Sequence, residues 1–72
     1  MKKDHKKALE VFIKNTQDYP NSSNSYGSLS DAYTAMDNRE MAIKSLEKAI
    51  ELDPNADASI TKLKGFLESD DQ

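Results

Sequence analysis

The residues able to do chemistry are few in this 72-residue chain, and their spacing argues against most of what they could do. The single histidine, His5, sits in a Lys-rich start beside Lys2, Lys3, Lys6 and Lys7, whereas a metal site needs several ligands converging at defined spacing. The run Asp53-Pro54-Asn55-Ala56-Asp57 opens like a calcium loop, with side-chain oxygens at alternate positions. It then fails, because Ala58 stands where that loop requires Gly and Lys64 where it requires a bidentate Glu. An inter-helix turn with helix caps accounts for the run instead. Hydroxyls are plentiful, yet one histidine, no cysteine and no G-x-S-x-G pattern leave no nucleophile with an activating base. The adjacent acids Asp70 and Asp71 lie in a tail with nothing to bury, which gives acid–base work no fixed geometry. There is no Gly-rich phosphate loop. The expectation is a chain that is no enzyme and uses no metal or cofactor.

Recognition remains, and charge narrows the partners. Ten Lys and Arg against thirteen Asp and Glu give a net charge of −3, which argues against nucleic acid or an anionic membrane surface. The N-terminal lysines read as a solvated helix start whose charge opposes the helix dipole. They lead into an amphipathic segment rather than the hydrophobic region of a signal peptide, and no apolar stretch approaches the roughly 20 residues of a membrane span. A soluble chain is expected, with its compartment left open. The absence of cysteine removes disulfides and thiolate sites alike. A chain of this length buries only roughly 60–65% of its unfolded surface, enough for one small domain.

The elements that position the recognising side chains are helices. Two Gly and two Pro give little punctuation for an all-β fold, and four segments carry helical periodicity. In residues 3–17, Ala8, Phe12 and Thr16 form one row, Leu9 and Ile13 a parallel one, and Val11 widens the stripe. Pro20 stops this segment, and residues 21–23 offer N-caps for the next. In residues 24–36, Tyr26, Leu29, Tyr33 and Met36 make a narrow seam. Asp37 or Asn38 caps a third helix at residues 39–52, with Glu40 at capping-box spacing from Asp37. That helix gathers Ala42, Leu46, Ala49 and Ile50 on one face, with Glu47 and Glu51 opposite. A fourth, at residues 56–68, carries a seam of Ile60, Leu63 and Leu67 beside Phe66, and residues 69–72 read as a frayed tail.

The chain repeats itself at an offset of 34, which separates Pro20 from Pro54. At that offset Ala42 answers Ala8, Ile43 answers Leu9, Leu46 answers Phe12 and Asn55 answers Asn21. Ile60, Leu63 and Leu67 likewise answer Tyr26, Leu29 and Tyr33. Residues 23–56 resemble one complete unit of the tetratricopeptide repeat family. Tyr26 falls on the position of the family's large aromatic, Ala42 and Ala49 on its small residues, and Pro54 on its closing proline. Ser30, Asp37 and Asn15 depart from it, where Gly or Ala, Gly, and Ala respectively are usual; Asn15 implies looser packing of the first copy.

The resemblance implies an all-α domain of four helices, an antiparallel helix-turn-helix solenoid fragment. Residues 3–20 supply the second helix of a first unit, residues 23–56 a complete unit, and residues 56–68 a terminal helix. It implies a protein or peptide partner, held in the groove that the first helix of each unit lines. The groove candidates are Asn24, Gly27, Ser28, Asp31 and Thr34 on one helix, with Ala58, Thr61 and Lys62 on the other, and Gly65 at an equivalent place. Family members that clamp a C-terminal carboxylate present Lys, Asn and Arg at such places, where this chain has Gly27, Asp31 and Ala58; a neutral peptide backbone or helix suits it better. About two units are fewer than the three or so that bury a continuous core, so low stability or support from another surface follows. Leu9, Val11 and Ile13 form the expected docking face, covered by an upstream domain or by a second copy in a homodimer. Phe12 to Pro20, followed by Ser23, Asn24, Ser25, Tyr26 and Leu29, is also similar to the C-terminal segment of some bacterial serine β-lactamase-like and α/β-hydrolase esterase proteins. That likeness implies, as the alternative, an accessory segment of a larger hydrolase whose catalytic domain lies upstream.

Overall fold

A computed structural model describes residues 5–69, which form four α-helices and, among the described residues, no strand. They are α1 (His5–Asp18), α2 (Ser23–Ala35), α3 (Arg39–Leu52) and α4 (Asp57–Ser69). Lys2, Lys3 and the Asp70-Asp71 pair lie outside the described residues. Each helix packs on the next in chain order, and α2 against α3 is the most extensive contact.

The breaks are local chemistry. After α1 the Tyr19 amide still reaches the Asn15 carbonyl at 2.8 Å, and the turn through Pro20 closes with the Ser22 amide on the Tyr19 carbonyl at 3.0 Å. Ser22 then caps α2, its hydroxyl accepting from the Ser25 amide at 3.3 Å. At the other end of α2 the Asp37 amide donates to the Thr34 carbonyl and the Asn38 amide to the Tyr33 carbonyl, the paired bonds of a Schellman motif. That motif needs a left-handed residue, and Asp37 supplies it at φ 61°. The Gly-like position of the repeat is therefore met by an Asp in a Gly conformation. Asn38 caps α3, accepting from the Met41 amide at 3.4 Å, which puts Glu40 second in the helix rather than at the third position a capping box requires. The calcium-like run is a turn: Asp53 Oδ1 accepts from the Asn55 amide at 3.0 Å, and the Ala56 carbonyl opens α4 by accepting from Ile60.

The core sits between α2 and α3 and is made of small side chains. Ala42, Leu46 and Ala49 of α3 are fully enclosed, and Leu29 and Ala32 are the buried apolar residues of α2. Ser30 is buried as deeply as these, which its own helix permits: its hydroxyl donates to the Gly27 carbonyl at 2.7 Å. Thr16 of α1 does the same to Ile13 at 2.7 Å. No buried side-chain oxygen or nitrogen among the described residues lacks a partner.

Two seams differ from expectation. On α4 the less exposed residues are Ser59, Leu63 and Phe66, while Ile60 and Leu67 are exposed. Among the described residues no helix follows α4 to cover Ile60 and Leu67. Met36 falls at the C-cap of α2 rather than on its seam, and is exposed. Arg39 bridges the last pair, its guanidinium donating to the Phe66 carbonyl, one of the last carbonyls of α4.

Leu46→Ala is expected to remove about 2–5 kcal/mol, most of the stability of a chain this small. Asp37→Gly should add about 0.5–1 kcal/mol and Asp37→Val subtract about 1–2 kcal/mol, since Val is strained at positive φ. Urea unfolding followed by circular dichroism reads all three.

Candidate partner groove

Because α3 lies between α2 and α4, the two first-type helices face each other across a shallow groove. It has a volume of about 220 Å³ and is lined by Ser23, Asn24, Gly27, Ser28 and Asp31 from α2 with Ala58, Ser59 and Lys62 from α4. On α2 the rows at four-residue spacing, 23-27-31 and 24-28, present this face. Pro54 and the Asp53–Asn55 turn set the start of α4, which brings Ala58 and Ser59 beside Gly27.

Lys62 and Asp31 form an ion pair across it, with Nζ 2.9 and 3.1 Å from the two carboxylate oxygens. Both side chains are largely exposed, so the pair contributes at most about 1 kcal/mol. Its electrostatic effect is larger than its energy: the two charged lining residues cancel, leaving a groove of hydroxyls, one amide, the Ala58 methyl and the Gly27 backbone. Such walls offer hydrogen bonds to a peptide and no net field for an anionic terminus. Gly27 opens the floor. A Cβ there would meet the Ser59 hydroxyl at 3.7 Å, ordinary contact distance, so the glycine is not required for α2 to approach α4.

Of the sequence-derived candidates, Asn24, Gly27, Ser28, Asp31, Ala58 and Lys62 line the groove. Thr34 and Thr61 are exposed outside it, and Thr34 spends its hydroxyl on the Ser30 carbonyl at 2.8 Å. Gly65 is outside too, with open space where a Cβ would stand. Ser23 and Ser59 were not among the candidates. Ser23 lies one turn before Gly27, a row that could have found it, whereas Ser59 depends on which side of α4 meets α3. The second expected face is divided by the helix: Leu9 and Ile13 are half-buried toward the protein, and Val11, two positions from each, stands on the opposite side and is 54% exposed. His5 is exposed at the start of α1, and no group of three or more metal-ligating side chains gathers among the described residues. No helix among them is long and apolar enough to cross a membrane.

Antiparallel helix pairs stacked so that their first helices line one groove define an all-α helical repeat fragment. Residues 23–56, which are α2, α3 and the turn after them, match the tetratricopeptide repeat family. The α1 helix and the α4 wall of the groove lie outside the match. No curated protein matches the chain, so the likeness to hydrolase C-terminal segments rests on the residues that suggested it alone.

Lys62→Ala is expected to change the unfolding free energy by no more than about 1 kcal/mol, and by less as salt is raised. Gly27→Ala should instead stabilise by about 0.5–1 kcal/mol, since it removes a glycine from a helix interior without a clash. Thermal unfolding at low and high salt measures both.

Proposed function

We propose that this chain is a non-catalytic protein-interaction module that takes an uncharged peptide segment, extended or helical, into the α2/α4 groove. The observation that carries this reading is the groove itself, polar in lining but balanced in charge, with Gly27 leaving its floor open to a backbone. Tetratricopeptide repeats generally mediate protein–protein interaction, and the matched unit supplies the α2 wall. Nucleic acid and anionic membrane are poor partners for a chain of net charge −3. A nucleophile or base has no place in this reading, because its chemistry is hydrogen bonding alone.

Short random peptides displayed on phage and selected on the 72-residue chain test it. Enriched peptides should lack a dependence on a free C-terminal carboxylate and shift amide resonances of Asn24, Gly27, Ser28 and Ala58. Gly27→Leu should weaken them about tenfold or more, 1.4 kcal/mol, while circular dichroism stays helical. Equal binding to Gly27→Leu, or shifts confined to α1, would overturn the reading.

A further inference from the structure

We infer that a second copy of this chain docks head to tail, with α1 of one copy lying on α4 of the other as α3 lies on α2 within one copy. The inference is independent of the groove. It rests on comparing each end with the equivalent place inside the helix pair, using the offset of 34 that relates α3 to α1 and α4 to α2. The buried residues of α3 are Ala42, Ser45, Leu46 and Ala49. Their counterparts on α1 are Ala8, Val11, Phe12 and Asn15, and all four have lost cover: Ser45 is 5% exposed where Val11 is 54%, and the other three are half-buried. On the other end, Leu29 is buried and Tyr33 half-buried, whereas their counterparts Leu63 and Leu67 are half-buried and 55% exposed.

Each end offers the element that the other end lacks. Among the described residues α1 is a second-type helix with no first-type helix before it, and α4 a first-type helix with no second-type helix after it. Every extensive helix contact in the chain joins the two types: α1 to α2, α2 to α3 and α3 to α4. An α1–α1 dimer would pair two second-type helices, a combination the chain does not use. The head-to-tail joint instead repeats the contact that already forms the core, with Leu63 and Phe12 taking the positions of Leu29 and Leu46. Such a contact is heterologous and does not close on itself, so it gives a concentration-dependent series rather than a discrete dimer. One helix face is smaller than a standard interface, so the association is weak. Lys64 sets a further limit, standing where the pair has the enclosed Ser30. Its stem can lie along the apolar face with the ammonium at the rim, at some loss of fit.

Sedimentation velocity on the 72-residue chain from about 10 µM to about 1 mM tests the joint. The average mass should rise to about twice the monomer or beyond. Val11→Asp and Leu67→Asp, both at exposed positions, should each stay monomeric alone and form a one-to-one pair when mixed, because the mixture holds one intact face of each kind. Lys64→Ser, which copies Ser30, should raise the mass at a given concentration, and this arm holds even if an aspartate variant unfolds. A wild-type chain monomeric throughout, self-association surviving in Leu67→Asp, or weaker association in Lys64→Ser would overturn the inference.

Discussion

The structure depends on the contact between α2 and α3, the most extensive of the helix contacts, which is made of small side chains. Ala42 and Ala49 have no side chain beyond Cβ, and Leu46 is the largest side chain completely enclosed. A close helix contact made from small residues gains its energy from dense dispersion contacts rather than from area, and it tolerates extra volume poorly. Polar atoms at such a contact must be satisfied without help from across it. Ser30 meets that condition by returning its hydroxyl to the Gly27 carbonyl one turn back, so a serine serves where an alanine or glycine is usual.

Everything outside the pair is placed by it. The Schellman turn at Asp37 and the α3 cap meet at Asn38, so the end of α2 and the start of α3 are fixed together and the pair is held antiparallel. Arg39, in the first turn of α3, then reaches the Phe66 carbonyl and holds the far end of α4, while the Asp53 turn holds its near end. With α4 secured at both ends against α3, its Ser59 and Lys62 come to α2 as a consequence. The Asp31–Lys62 pair is therefore an outcome of the stacking and too exposed to be its cause.

Much of this was legible in the sequence because an offset of 34 aligns prolines, small residues and seams at once. Apart from the start of α1, expected at residue 3 outside the described residues, the helices begin and end within about one residue of where their caps and prolines put them. Six groove residues were legible for the same reason, since a face of an amphipathic helix follows from its period. What stayed hidden depends on tertiary context. Periodicity shows that Ile60, Leu63 and Leu67 form a row, and it does not show whether a helix lies over that row. Leu9, Val11 and Ile13 alternate as a strand would, so reading them as one face of a helix overlooked the turn of about 200° between Val11 and its neighbours. The Asp31–Lys62 and Arg39–Phe66 contacts join residues 31 and 27 apart, and no local pattern announces them.

The order of the helices ties the groove to the two end helices. A groove of this kind is lined by first-type helices, here α2 and α4. A head-to-tail joint would place a second-type α1 after α4 and then another α2, the same alternation that α3 provides within the chain. The groove would continue across the joint, and a peptide too long for about 220 Å³ would find further wall on the next copy. Occupancy and assembly would then favour each other, since a ligand spanning the joint binds joined copies better than separate ones. Lys64 would work against this linkage by weakening the joint, so single copies would predominate until concentration or a long ligand drew them together.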